Sequence, residues 1–254
     1  MRASRVSGPT SRSRDAGAYA EQVGTLPNMG SRLATLAICA VLGSGTVAGC
    51  GGSSSTGIAS KSANQIVTAA SSAMTHASSV HVSGSIVTGG VPLTLDLTVA
   101  SGKGGLGQMS EGGLAFKIVN VGQTVYLQGT PEFWQHYGGA AVARLLNGKW
   151  LKAPANGQFA SIAALTDMQR LVGSILLTQG VLTKGSTTTV NGHPVIAVTD
   201  KAKNGTLYVA TTGPPYPIEI TRAGTGGGRI TFDRFNQPVT LTPPSNAIPL
   251  SQLG

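Results

Sequence analysis

The chain has 254 residues, 41% of them hydrophobic, which is enough to bury one sizeable core. With 36 glycines and only 11% charged residues, it favours short strands and tight turns over long charged helices. The formal charge of +9 does not point to nucleic acid: five of the 18 basic residues precede Cys50, and the rest are scattered singly from Lys61 to Arg234. A phosphate backbone requires a clustered basic stripe.

At the start of the chain, residues 1–28 are rich in Arg and Ser and lack apolar periodicity. They are read as untranslated or disordered, with Met29 as the true start; a long basic leader is the alternative. From Met29 a basic start at Arg32 is followed by an apolar run from Leu33 to about Leu42 and then by small residues up to Cys50. That run is too short to cross about 30 Å of hydrocarbon as a stable helix, but it has the length of a signal-peptide core. Its end, Val47-Ala48-Gly49-Cys50, resembles the lipobox of bacterial lipoproteins. The resemblance implies cleavage between Gly49 and Cys50 and lipid attachment to the Cys50 sulfur. The mature chain would then be held on the outer face of the cytoplasmic membrane, as two or more acyl chains hold stably where one anchors only marginally. An ordinary signal peptide with an incidental cysteine is the competing reading. Residues 50–60 then form the lipidated cysteine and a flexible Gly/Ser tether, and residues 61–254 the folded domain. Cys39 and Cys50 are the only cysteines, so the domain holds no disulfide and no cysteine-ligated metal.

Residues 61–77 carry Ile66, Val67, Ala70, Ala73, Met74 and Ala77 at helical spacing, which predicts an amphipathic first helix. Period-two alternation follows around Val80–Ile86, Leu93–Val99, Leu114–Ile118 and Thr124–Leu127, with Gly89-Gly90, Gly104-Gly105 and Gly112-Gly113 as turns. Residues 131–146 begin with Pro131, and residues 161–178 place Leu165, Met168, Leu171, Val172 and Ile175 on one face. Two helices are predicted there. Alternation returns in Val181–Val190, Val195–Thr199, Thr206–Thr211, Ile218–Arg222 and Arg229–Phe235, with Asn191-Gly192 and Asn204-Gly205 as hairpin turns. Roughly ten antiparallel strands in one sheet cannot stay flat, and the helices are the elements available to cover the apolar concave side. The predicted class is α+β: a single curved antiparallel sheet, a half-barrel, with helices over its concave face.

This order of elements resembles the LppX/LprG-type envelope lipoproteins, whose half-barrel is shared with the periplasmic lipoprotein carrier LolA. The likeness rests on the lipobox, the first helix before a meander, the central helices and the closing strands. Within the latter it is carried by Val190-Asn191-Gly192-His193, Gly205-Thr206-Leu207-Tyr208-Val209 and Phe235-Asn236-Gln237-Pro238-Val239, with Phe235 where the family commonly has Trp. The resemblance implies a hydrophobic cavity between sheet and helices that holds acyl chains of a lipid or glycolipid. The residues that would line it are Ile66, Val67, Met74, Leu95, Leu97, Phe116, Ile118, Met168, Leu171 and Ile175. The same side chains packed on one another as a dry core are the alternative, and would suit an anchored structural or interaction protein.

No catalytic constellation is visible. Gly102-Lys103-Gly104-Gly105-Leu106-Gly107 fits a dinucleotide fingerprint by letter but lies between β-type runs with no helix after it, and is read as a hairpin turn. His76, His81, His136 and His193 show no metal-ligand spacing, and His76 and His81 are expected to be exposed. Asp96, Glu111, Glu132, Asp167, Asp200, Glu219 and Asp233 are dispersed and expected to be solvated. Trp134, Tyr137 and Trp150 are read as core packing, with a lip at the cavity mouth as the alternative. The expectation is a non-enzymatic protein without cofactor or metal, whose partners are a membrane and a lipid.

Overall fold

The computed structural model describes residues 57–176 and 180–253. The signal segment, Cys50 and the tether to residue 56 lie outside the described residues, as does the side chain of Ile175. The chain begins with α1 (Ala63–His76) and a meander of β1 (Ser79–Thr88), β2 (Val91–Ala100), β3 (Gly104–Glu111), β4 (Leu114–Val121) and β5 (Thr124–Gly129). Next come α2 (Pro131–Leu145), β6 (Leu151–Pro154), α3 (Ala160–Ala164) and α4 (Met168–Leu176). A second meander, β7 (Leu182–Val190), β8 (His193–Asp200), β9 (Gly205–Ala210), β10 (Pro217–Arg222) and β11 (Gly228–Asp233), leads to the short β12 (Ile248–Pro249).

The twelve strands among the described residues form one open, curved sheet in the order β12-β6-β5-β4-β3-β2-β1-β11-β10-β9-β8-β7. Every pairing is antiparallel except β12 on β6. The first strand of one meander and the last of the other join the two halves of the sheet: Val82 of β1 stands opposite Phe232 of β11. Local chemistry sets the ends of the elements. Ser62 and Gln65 form a reciprocal capping box that satisfies two backbone donors at the start of α1. Thr130 Oγ1 accepts from Phe133 N ahead of Pro131, which needs no donor at the first helical position. Asn191 and Gly192, both at positive φ, make the two-residue turn from β7 to β8.

Three sequence expectations change. Gly104-Gly105 is not a turn but the start of β3, because its neighbours use the missing side chains. A Cβ on Gly105 would lie 3.0 Å from Thr166 Cβ, and one on Gly107 would lie 2.9 Å from Leu97 Cδ2. The glycines are in a strand because helix and strand side chains occupy their places, which alternation of apolar residues cannot show. The second change is in the region of residues 161–178, where two helices, α3 and α4, break at 165–167 around the buried Thr166; with α2 the middle holds three helices and β6. Finally, Asn204-Gly205 is not a two-residue turn. Asp200 pairs with Gly205, and Asp200 Oδ1 accepts from Ala202 N and Lys203 N to shape a four-residue loop, 201–204.

Candidate functional site

One face of the sheet carries the core. Under α1 and α4, Ile66, Met74, Met168 and Leu171 pack on Val80 and Val82 of β1, Val99 of β2 and apolar residues of β8, β9 and β11, with Val67 half-buried at the margin. Under α2 and α3, Leu97, Ile118, Leu127, Leu151, Phe133 and Trp134 form a second cluster, with Phe116 half-buried beside it. In the register, Leu97 opposes Val82 on one side and Gly107 on the other, and Gly107 opposes Ile118, so the two clusters share this face. They meet along β2, where Leu95 packs against both. All the described cavity candidates therefore stand on the helix-covered face.

The helices sit close to the sheet. Besides Gly105 beneath Thr166, Gly129 lies beneath Phe133, whose Cδ1 a Cβ would meet at 2.3 Å. Two clefts open on the surface. One, of about 550 Å³, lies on the outward face, lined by Asp96, Gln108, Lys117 and Gln128 beside Thr130 and Asn147. The other, of about 490 Å³, lies between the β2–β3 and β4–β5 turns and the α3–α4 joint. Its lining includes Met168 from the first cluster and Ala163 from the second.

Three buried polar atoms among the described residues have no hydrogen-bond partner: Trp134 Nε1, Asn120 Oδ1 and Asp200 Oδ2. Leaving such a group unpaired costs about 1–3 kcal/mol. Asn120 is 6% exposed and stands in a row with Val99, Gly105, Val125 and Ala153. Its Nδ2 donates to Thr166 Oγ1 at 2.9 Å, and Thr166 Oγ1 donates to the Ala163 carbonyl at 2.9 Å. That chain of donors fixes the amide orientation and leaves Oδ1 as the free acceptor. Sequence reasoning passed over Asn120; the available signal was a polar residue in phase with Phe116 and Ile118.

The opposite face corrects the reading of the titratable groups. His81, expected to be exposed, is 7% exposed, with Nδ1 2.6 Å from Asp233 Oδ1 and Nε2 2.8 Å from Asp96 Oδ1. Arg234 lies against the ring, with NH2 3.0 Å from Nδ1. The imidazole faces a carboxylate on either side, and no nucleophile is bonded to it, so the group ties β2, β1 and β11 together. Glu219, expected to be solvated, is 3% exposed and meets Arg229 at 3.4 Å and Asn191 Nδ2 at 3.3 Å. Asp200 is likewise buried, by its role in the 201–204 loop. His76 is exposed on the last turn of α1 and bonds to the Ser72 carbonyl. The Trp134, Tyr137 and Trp150 group divides: Trp134 is buried, Tyr137 is 63% exposed, and Trp150 lines a groove with Gln108 and Lys117, outward residues of β3 and β4. Among the described residues no group of three His, Cys, Asp or Glu side chains is placed to hold a metal ion. No described helix is long and apolar enough to cross a membrane.

A single curved sheet with its helices on one face defines a half-barrel of α+β class. The sequence matches no family model and no curated protein. Among solved structures the chain is similar to LprF from Mycobacterium bovis, at 17% identity and a TM-score of 0.51 over 72% of this chain and 96% of that one. It is also similar to the lipoprotein LppX from Mycobacterium tuberculosis, at 15% identity and a TM-score of 0.45 over 71% of this chain and 98% of that one. The likeness to the LppX/LprG type drawn from the sequence is thus met at the level of the fold, on the match to LprF.

Proposed function

We propose that the protein is a non-enzymatic envelope lipoprotein, cut between Gly49 and Cys50 and anchored through Cys50, that shelters acyl chains of a lipid or glycolipid on the concave face and passes them between membrane and wall. The observation that carries this reading is the seam. Two apolar clusters, each with its own helices, meet along β2, where Leu95 packs against both, and a cleft opens at the α3–α4 end. Parting α1 and α4 from α2 and α3 along that line would expose Leu95, Leu97, Met168 and Leu171 to a chain while leaving the strand ladder intact. The shared fold with LprF and the lipobox-like segment before Cys50 support the same reading.

A second reading has its own observation. Thr166, Leu97 and Phe133 fill the places above Gly105, Gly107 and Gly129, as expected of a dry core in an anchored structural or interaction protein. Native mass spectrometry of the full chain, purified from a host that makes its lipids, separates the two. A stoichiometric lipid adduct supports the carrier and names its ligand class. A bare mass that persists after incubation with native envelope lipids supports the structural reading.

A further inference from the structure

We infer that the cleft at the α3–α4 joint is a headgroup site for a hydroxyl-bearing lipid, with Asn120 Oδ1 as the acceptor of a ligand hydroxyl. This rests on the lipid-binding reading above and assigns polarity to its seam. Asn120 is a polar residue in a concave row otherwise made of Val99, Gly105, Val125 and Ala153, and its amide nitrogen is already committed to Thr166. Oδ1 is buried and unpartnered, and Asn120 lines the cleft. An acceptor without a donor beside a cleft of about 490 Å³ is matched by a ligand that brings an O–H, since a bare carbonyl or alkyl end offers none.

The surroundings agree with a polar head rather than an alkyl tail. Gln123, Asn156, Gln169, Lys103 and Arg170 line the cleft, and the Asp167 carboxylate is engaged with Arg170 N at the start of α4. Beneath them Met168 and Ala163 lead into the two apolar clusters. A lipid therefore lies with its hydroxyl end at Asn120 and its chains along the seam toward Leu95. The hydroxyl reaches Oδ1 when the joint at residues 165–167 lifts from Gly105, against which Thr166 now packs.

The test uses the full-length chain and two probes with identical acyl chains: dipalmitoylglycerol, which has one free hydroxyl, and its O-acetylated derivative, which has none. The expected result is roughly tenfold tighter binding of the free-hydroxyl probe, the equilibrium value of one net hydrogen bond. Asn120→Leu removes the acceptor, and Ala164→Trp fills the cleft from its helical wall without touching Asn120. In either variant the preference falls to about one, while the acetylated probe binds Asn120→Leu as it binds the parent. Equal binding of the two probes to the parent, or a preference that survives in a folded variant, overturns the headgroup site and leaves lipid binding standing. Failure of both probes to bind the parent overturns the lipid-binding reading and this inference together.

Discussion

Single atoms decide much of this structure. Trp134 buries an indole N–H with no acceptor, so its replacement by Phe removes an unmet donor while keeping a ring against Phe133. Thermal unfolding of Trp134→Phe should show stability equal to the parent or higher by about 1 kcal/mol; a loss of the size expected for a deleted hydrogen bond would mean that the indole has a partner. Gly129 makes the opposite case. A methyl there has no room under Phe133, so Gly129→Ala should cost about 1–3 kcal/mol in urea unfolding through overpacking. His81 holds two carboxylates from neighbouring strands, and His81→Ala leaves Asp96 and Asp233 facing each other across β1 without the ring between them. A stability loss of about 1–2 kcal/mol is expected from the two lost hydrogen bonds, measured by the same unfolding curve.

Among the elements, α1 is the most legible. Its capping box, its stripe of Ile66, Ala70 and Met74 and its end at residue 76 all follow from local sequence, and the helix packs through that stripe onto α4 and the strands of the second meander. Ser62→Ala removes the cap and should lower stability by about 1 kcal/mol without changing the sheet, as read by circular dichroism and thermal melting. The hairpins at Gly89-Gly90, Gly112-Gly113 and Asn191-Gly192 were also legible, because a two-residue turn with both φ positive has a narrow residue preference. β3 was not. Its concave positions are Gly105, Gly107 and Met109, and two of the three have no side chain with which to declare a period. The short β6 and β12 were equally silent, being four and two residues long and placed by their partners. α3 and α4 looked continuous since Leu165, Met168, Leu171 and Val172 keep helical spacing across a break held by the Asn120–Thr166 contact and by Asp167, which accepts from Arg170 N at the start of α4.

For the whole molecule, the arrangement joins two meanders through one antiparallel pair. β1 and β11 are 149 residues apart by their start positions, 79 and 228, yet they register from His81–Asp233 to Ile86–Gly228. The motif Phe235-Asn236 secures that joint from the chain end: Phe235 stacks on Tyr216 at 4.0 Å, and Asn236 accepts from Ser78 N and donates to the Tyr216 hydroxyl. At this scale the proposal about attachment also becomes testable. Cys50→Ser should abolish incorporation of labelled palmitate and shift the protein from the membrane pellet to the soluble or precursor fraction; undiminished labelling would place the lipid elsewhere.

By itself, the sequence determined the α+β class, the first helix, most strands and the apolar faces, because periods of 2 and 3.6 are written in consecutive residues. It also supplied the lipobox-like segment, which is a linear signal. Tertiary structure alone decided that Gly104–Glu111 is a strand, that His81 and Glu219 are buried, and that Asn120 is left with an open acceptor. Each of those depends on atoms supplied by a distant part of the chain: Thr166 above Gly105, Asp233 beside His81, Arg229 beside Glu219. Whether a polar group is satisfied, or a glycine's place is filled, is a property of the pair, and the pair exists only once the chain has folded.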